Sequence, residues 1–432
     1  MKTTIITSLL VSSLFIASCA TKVAASPTVE RLPFSTSSIE EQPTTVESIG
    51  TPAPTSTKSY AIADIPVCPK SGVEILSSNN FGIPGTIVYQ RDFQGLYTVG
   101  GNPLVYSKLP VDEAQEFISF GFSPDGQWFA FSPLESSENG DPIFESPKII
   151  LLSADGERIE HTFPVESFTD ELQIAHVLQG FSGYSHWINN TTIYAALYSM
   201  NPDPNTTRHI NDLPKVIDPF MGIWREDLLK ALPAMSSSYA KGISPDLTRM
   251  LYMSGDGLFL RDLEKGVDIW HDDLFAGFGA LMFWSPDSQT VAYANLYAFP
   301  EDKSVVLISR DGLARSIMGG ALPLTGLLVN DLQWSPDGQY IALLVWEGET
   351  TGESVIIYDF VAQKYLSRCP IRRSNDTHPN LIWSPDNKYL AYVGIDYPLI
   401  LMNVQSGELI QLVDKARAVG WSDKFPVEWN SR

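Results

Sequence analysis

A short motif recurs along this chain and limits its fold more than any other feature. It is an aromatic or apolar residue, then Ser-Pro-Asp, then an apolar stretch. Phe122-Ser123-Pro124-Asp125-Gly126 precedes Trp128-Phe129-Ala130-Phe131, and Ile243-Ser244-Pro245-Asp246 precedes Met250-Leu251-Tyr252-Met253. Trp284-Ser285-Pro286-Asp287 leads into Val291-Ala292-Tyr293, and Trp334-Ser335-Pro336-Asp337-Gly338 into Tyr340-Ile341-Ala342-Leu343-Leu344. Trp383-Ser384-Pro385-Asp386 leads into Tyr389-Leu390-Ala391-Tyr392-Val393. His186-Trp187-Ile188-Asn189-Asn190, ahead of Thr192-Ile193-Tyr194-Ala195, is a degenerate copy. Ser-Pro-Asp suits a type I turn: Ser bonds to nearby backbone, Pro presets φ, and Asp tolerates the third position. β-branched and aromatic residues on either side favour strands, so each copy predicts a hairpin.

A second hairpin follows most copies, as in Ile149–Glu157, Val305–Gly312 and Leu401–Glu408. Two hairpins make four strands, the unit of a propeller blade. The motif serines at 244, 285, 335 and 384 lie 41, 50 and 49 residues apart, which is blade-sized. These residues resemble the WD40-like repeats of TolB-type propellers, and the resemblance covers nearly everything after residue 73. Six copies begin near Ile118, Ala175, Tyr239, Gly279, Leu328 and Pro379. The strands Thr86–Gln90, Gly95–Val99 and Pro103–Tyr106 stand at the front without a motif, and Ala416–Asp423 stands at the back with little after it. Together they complete one blade, with the last strand innermost, so no sheet edge is left open. The expectation is an all-β, seven-bladed β-propeller over residues 61–432, or six blades if 175–235 is not a true one.

The turns after the first and third strands of a blade are short and share one face. The variable connections share the other: Pro133–Pro147, Tyr198–Phe220, Leu296–Asp302 and Trp346–Glu353 between second and third strands, and Pro164–Ile174, Met318–Val329 and Cys369–His378 between blades. Binding tends to sit on variable loops of a rigid scaffold. Trp346, Tyr297, Tyr198, Tyr397, Arg372 and Arg373 are therefore the candidate contacts, around the channel mouth on the long-loop face. Trp284, Trp334, Trp383 and Trp421 occupy one repeat position, which assigns them to packing between blades instead.

The N-terminus reads as an address. Met1-Lys2 is followed by an apolar run from Ile5 to Ala17, too short to span a bilayer. Ile16-Ala17-Ser18-Cys19 resembles the lipobox of bacterial lipoproteins at all four positions. That resemblance implies a signal peptide over 1–18 and a diacylglycerol thioether on Cys19, anchoring the protein without a spanning helix. Residues 19–60 are rich in Thr, Ser, Pro and Glu, as in Thr51-Pro52-Ala53-Pro54-Thr55, and predict a disordered tether. Ala20 supplies no inner-membrane retention signal of the Asp type. The lipid then sits on the outer face of the cell membrane, or on the outer membrane of a cell that has one.

The net charge of −21 disfavours nucleic acid as a partner. No Gly-x-Ser-x-Gly elbow, His-Glu-x-x-His pair, phosphate loop or zinc-ligand spacing occurs, so neither a cofactor nor a metal is expected. Cys68 and Cys369 each precede proline, and export permits either a disulfide or two separate thiols. One blade lies between the two, so a bridge requires residues 69–84 to loop back. TolB-type propellers bind other envelope proteins, although the second domain that TolB carries before its propeller has no counterpart here. The function expected is a non-enzymatic, monomeric binding or scaffold module for an envelope protein or glycan. The alternative is a hydrolase or lyase with its site in the channel, which requires carboxylates, or a His and a carboxylate, converging at the mouth.

Overall fold

The structure is a computed structural model. It describes residues 65–68, 73–75, 81–91, 95–111, 116–136, 142–143, 147–163, 167–169, 175–181, 185–200, 210–225, 240–254, 257–272, 280–295, 305–318, 328–346, 352–371, 381–393 and 398–430. The signal peptide, Cys19 and the tether lie outside the described residues.

After β1 (Val73–Ile75), blade 1 contains β2 (Ile83–Arg91), β3 (Leu96–Gly101) and β4 (Val105–Lys108). Blade 2 is β5 (Glu116–Phe122), β6 (Trp128–Ser136), β8 (Lys148–Ser153) and β9 (Arg158–Thr162), with β7 (Pro142–Ile143) paired to the end of β6. In blade 3, β11 (Ala175–Phe181) and β12 (His186–Asn189) both pair with β13 (Thr192–Met200), ahead of β14 (Ile210–Asp218) and β15 (Ile223–Trp224). β10 (Ser167–Thr169) adds to the other side of β11. Blade 4 is β16 (Ala240–Ile243), β17 (Arg249–Ser254), β18 (Gly257–Asp262) and β19 (Val267–Asp272). Blade 5 is β20 (Ala280–Trp284), β21 (Thr290–Asn295), β22 (Val305–Ser309) and β23 (Ala314–Met318). Blade 6 is β24 (Leu328–Trp334), β25 (Tyr340–Trp346), β26 (Glu353–Asp359) and β27 (Lys364–Ile371). Blade 7 is β28 (Ile382–Trp383), β29 (Tyr389–Val393), β30 (Leu399–Asn403) and β31 (Leu409–Val413). β32 (Ala416–Ser422) returns to blade 1 and pairs antiparallel with β2, from Thr86↔Ser422 to Arg91↔Ala416. The fold is therefore a seven-bladed β-propeller closed by its last strand, and the degenerate region is a true blade.

A blade is covered on both faces by its neighbours, so its middle strands need apolar residues at consecutive positions rather than alternating ones. Ile341 to Val345 of β25 and Val355 to Ile357 of β26 are accordingly all buried. The motif builds the turn that leads into each second strand. Ser335 Oγ donates to Asp337 Oδ1 at 2.6 Å and accepts from Tyr340 N at 2.9 Å, while Asp337 Oδ1 accepts from Gln339 N at 3.0 Å. The same three bonds recur around Ser123, Ser244, Ser285 and Ser384. The fourth turn residue takes positive φ, as in Gly126 (73°) and Gly338 (71°), and glycine meets that need without strain.

The tryptophans join blades. Trp187, Trp284, Trp334 and Trp383 each donate Nε1–H to an inner-strand carbonyl of the preceding blade: Gly121, Gly242, Phe283 and Gln333. Each also packs its ring on that blade's core, as Trp284 does on Leu251, Leu258 and Leu260. Trp421 packs on blade 7 but bonds Pro84 O of its own blade. Phe122 and Ile243 fill this position in blades 2 and 4 without an N–H to give.

Two expectations need correction, and the pairing of Cys68 and Cys369, left open by the sequence, is decided. Tyr198–Phe220 is not simply a loop: β13 runs on to Met200 and β14 resumes at Ile210. Extra paired backbone there satisfies polar groups that a bare loop would leave to solvent. The chain does not fade after β32, because Phe425 and Trp429 are buried between blades 1 and 2. Val427 O accepts from Thr98 Oγ1, and Trp429 Nε1 donates to Ser153 O at 2.7 Å. Finally, Cys68 reaches Cys369 along the outer rim. Val67 pairs in parallel with Arg368 at the edge of blade 6, and β1 then pairs in parallel with β31 as a fifth strand of blade 7. Cys68 and Cys369 are joined in a disulfide with their Cα atoms 4.9 Å apart.

Ser335→Ala is expected to lower unfolding stability by about 1–3 kcal/mol, because it strands the Tyr340 N–H inside the turn and removes one of the two donors to Asp337 Oδ1. Gln339→Ala, on the exposed side of the same turn, should change stability by less than about 0.5 kcal/mol. Urea midpoints of the two variants check this.

Candidate functional site

The inner strands β32, β5, β11 with β12, β16, β20, β24 and β28 surround the channel. At the position just before the aromatic one, three of these strands carry glycine (Gly121, Gly242 and Gly420) and the other four carry His186, Phe283, Gln333 and Ile382. Gly420 has no room for more, since a Cβ there would sit 2.7 Å from the Phe122 ring. His186 of blade 3 and Phe283 of blade 5 meet with ring centroids 6.2 Å apart and planes tilted by 46°. Gly242, at the equivalent position of the intervening blade 4, is closely packed, since a Cβ there would sit 3.2 Å from Met282 Cβ.

The long-loop half is polar, and the polar groups come from blades 6, 7 and 1. β24 carries Asn330, Asp331 and Gln333 where β20 carries Ala280, Leu281 and Phe283. The Asp331 carboxylate is buried, and one oxygen accepts from Leu332 N at 2.7 Å and from Gln333 Nε2 at 3.3 Å. Its other oxygen accepts from Leu381 N of blade 7 at 2.6 Å. Burial pushes the Asp331 carboxyl up to about 6, against these donors and the positive charge of Arg417 on β32. Asn330 Nδ2 donates to Oε1 of the buried Glu353 at 2.5 Å. A register shift between Val329 and Asp331 makes room for Asn330 in the ladder.

Trp346 ends β25 directly opposite Glu353 and Leu328, half-buried at the rim of this cluster. Tyr198 lies in β13 opposite Gly180, on blade 3. Tyr297, Tyr397, Arg372 and Arg373 lie outside the described residues. The structure therefore places Trp346 beside the polar cluster and Tyr198 on a separate blade. Loop reasoning passed over Asn330, Asp331, Gln333, Glu353 and Arg417. Their signal was present as polar residues in an inner strand whose counterparts are apolar.

Chemically, the cluster offers two buried carboxylates, two amides, a guanidinium and an indole at one end of the channel. Hydrogen-bond donors and acceptors beside an aromatic face suit a polar ligand with an apolar side. Among the described residues, no group of three or more His, Cys, Asp or Glu side chains is placed to hold a metal ion. Nor is any helix among them long and apolar enough to cross a membrane.

No protein family matches the sequence, and no curated protein does. Among solved structures, the chain is similar to an oligogalacturonate lyase in complex with manganese, at 14% identity and a TM-score of 0.42, over 78% of this chain and 86% of that one. It is also similar to the β-propeller domain of Cps50 (Swd1) from Myceliophteria thermophila, at 13% identity and 0.43, over 74% and 96%. A third is the dihydro-heme d1 dehydrogenase NirN, at 13% and 0.45, over 85% and 82%.

The raised Asp331 carboxyl gives a signed prediction. A folded value of about 6 lies above an unfolded value of ~3.9. The stabilising contribution is then full below pH 4 and lost as pH rises through 6. Wild type should therefore lose on the order of 2–3 kcal/mol relative to Asp331→Asn between pH 4 and pH 7. Denaturant unfolding of both proteins across that range measures the difference.

Proposed function

We propose that the chain is a lipid-tethered, extracytoplasmic propeller that binds an envelope protein or glycan at the long-loop end of its channel. The observation that carries this reading is the Cys68–Cys369 disulfide. Disulfides persist in oxidising compartments, and this one fastens the segment that follows the tether onto the propeller. The lipobox resemblance at Cys19 supports the same compartment. The rigid ring and the cluster of Asn330, Asp331, Glu353, Arg417 and Trp346 supply the binding end.

A second reading, a hydrolase or lyase at the same mouth, is favoured by Asp331. Its carboxyl is raised to about 6 beside Arg417, within the range in which a carboxylic acid can exchange protons near neutral pH.

Cys19→Ala is expected to move the protein from the membrane fraction to the soluble one and to abolish labelling by radioactive palmitate. Retention of the variant in membranes would overturn the anchor. A photo-crosslinker placed at Trp346 should capture a partner in intact cells that the same group at Gln339, on the short-turn face, does not. Equal capture at both positions counts against the channel mouth. Turnover of envelope glycan by the pure protein, abolished in Asp331→Asn, decides for the enzyme.

A further inference from the structure

Residues Ile65–Cys68 and β1 lie along the outer rim and form a strap. Ile65 is 3% exposed and fills a pocket among Val305, Leu307, Tyr358 and Tyr365, at the boundary of blades 5 and 6. Cys68 N donates to Arg368 O at 2.9 Å and Arg368 N to Pro66 O at 2.8 Å, so the strap pairs with the outer edge of β27. β1 then pairs with Leu409, Ile410 and Gln411 of β31. These contacts are short, and β1 contributes only three residues. The disulfide cross-links the strap to the outer strand of blade 6. Gly407 has positive φ (69°), and a Cβ there would sit 2.6 Å from Cys68 Sγ, so the blade 7 turn is shaped around the sulfur.

We propose that this strap is a redox latch. Opening the disulfide frees Ile65–Ile75 while the ring stays closed, and the outer edges of β27 and β31 are left ready to pair with an extended peptide strand. The two sulfurs are unequal. Cys369 is 2% exposed, whereas Cys68 is only half-buried. The thiolate of a dithiol reductant therefore attacks Cys68 Sγ, the S–S bond breaks, and Cys369 leaves as a thiolate that takes up a proton. The second thiol of the reductant then displaces Cys68 as a thiol, and the reductant departs as its own disulfide. Cys369 is left buried among Val355, Ile357 and Leu381. The closing ladder of β32 with β2 involves none of these residues, so the ring does not depend on the latch. An edge strand stripped of its partner presents a row of free backbone groups. The strap's own pairing sets the direction that fits, which is parallel to β27 and β31.

Hydrogen exchange on the full chain, oxidised and after reduction by a phosphine, tests the release. The expected result is at least a ten-fold rise in exchange over 65–75 and at the edge amides of β27 and β31, with β20, β24 and β32 unchanged. The double variant Cys68→Ser/Cys369→Ser should show the same pattern without reductant. A uniform rise across all blades, or no rise in the strap, would overturn the latch. A fluorescent peptide of residues 61–77 with serine at position 68 probes the open edge. It should bind the double variant at least ten-fold more tightly than the oxidised protein, and equal binding to both overturns the edge.

Discussion

The ring stands on the pairing of β32 with β2. Seven twisted sheets arranged about an axis leave no free inner edge only if the first and last share a blade. Here the shared ladder runs from Thr86↔Ser422 to Arg91↔Ala416. Once that ladder forms, each blade is wedged between two others, and the apolar faces of every sheet are covered. The C-terminal tail reinforces the same place, since Phe425 packs edge-on against Phe122 and Ser422 Oγ donates to Gly126 O of blade 2.

The remaining seams are unequally built. Blades 2 and 3, 4 and 5, 5 and 6, and 6 and 7 each share an indole-to-carbonyl bond. Between blades 4 and 5 this is joined by the Arg310–Asp246 pair at 3.5 Å and by Asp246 N donating to Ser288 Oγ. The seam of blades 3 and 4 has Ile243 in the tryptophan position and relies on apolar packing around Tyr194, Val216 and Tyr252, plus Asn189 Nδ2 donating to Pro245 O. The seam of blades 6 and 7 carries one further tie, the Asp331-to-Leu381 bond. The polar cluster is thus set at a seam crossed by both the Trp383 indole bond and the Asp331-to-Leu381 bond, which helps to hold its groups in place.

The architecture was legible because each blade repeats the same local solution. Ser335, Asp337 and their equivalents form turns that need no distant partner, so the pattern can be read from five residues at a time. Even the degenerate blade was recoverable, since Trp187 keeps the inter-blade indole bond and Asn189 Oδ1 accepts from Thr191 N within the turn as the motif Asp does. The C-terminal tail was hidden because Phe425 and Trp429 belong to no repeat and bury themselves against residues some 300 positions earlier. The route of the strap was equally hidden, as parallel pairing of Val67 with Arg368 leaves no trace in local periodicity. At the site, Trp346 stood out as a loop aromatic. Asp331 and Arg417 were masked because each is a single polar residue within a strand, and only their meeting across blades gives them meaning.

The position of the disulfide also decides how the molecule bears tension. A pull on the chain ahead of Ile65 is passed through Cys68 to Cys369, in the outermost strand of the sixth blade. The three-residue ladder of β1 and the ladder that closes the ring lie beyond that bond and are shielded from the load. The force is spread over a whole four-stranded sheet, instead of peeling the first blade from the last one hydrogen bond at a time. The oxidised protein is therefore built to be held from its N-terminal side without its ring being unzipped.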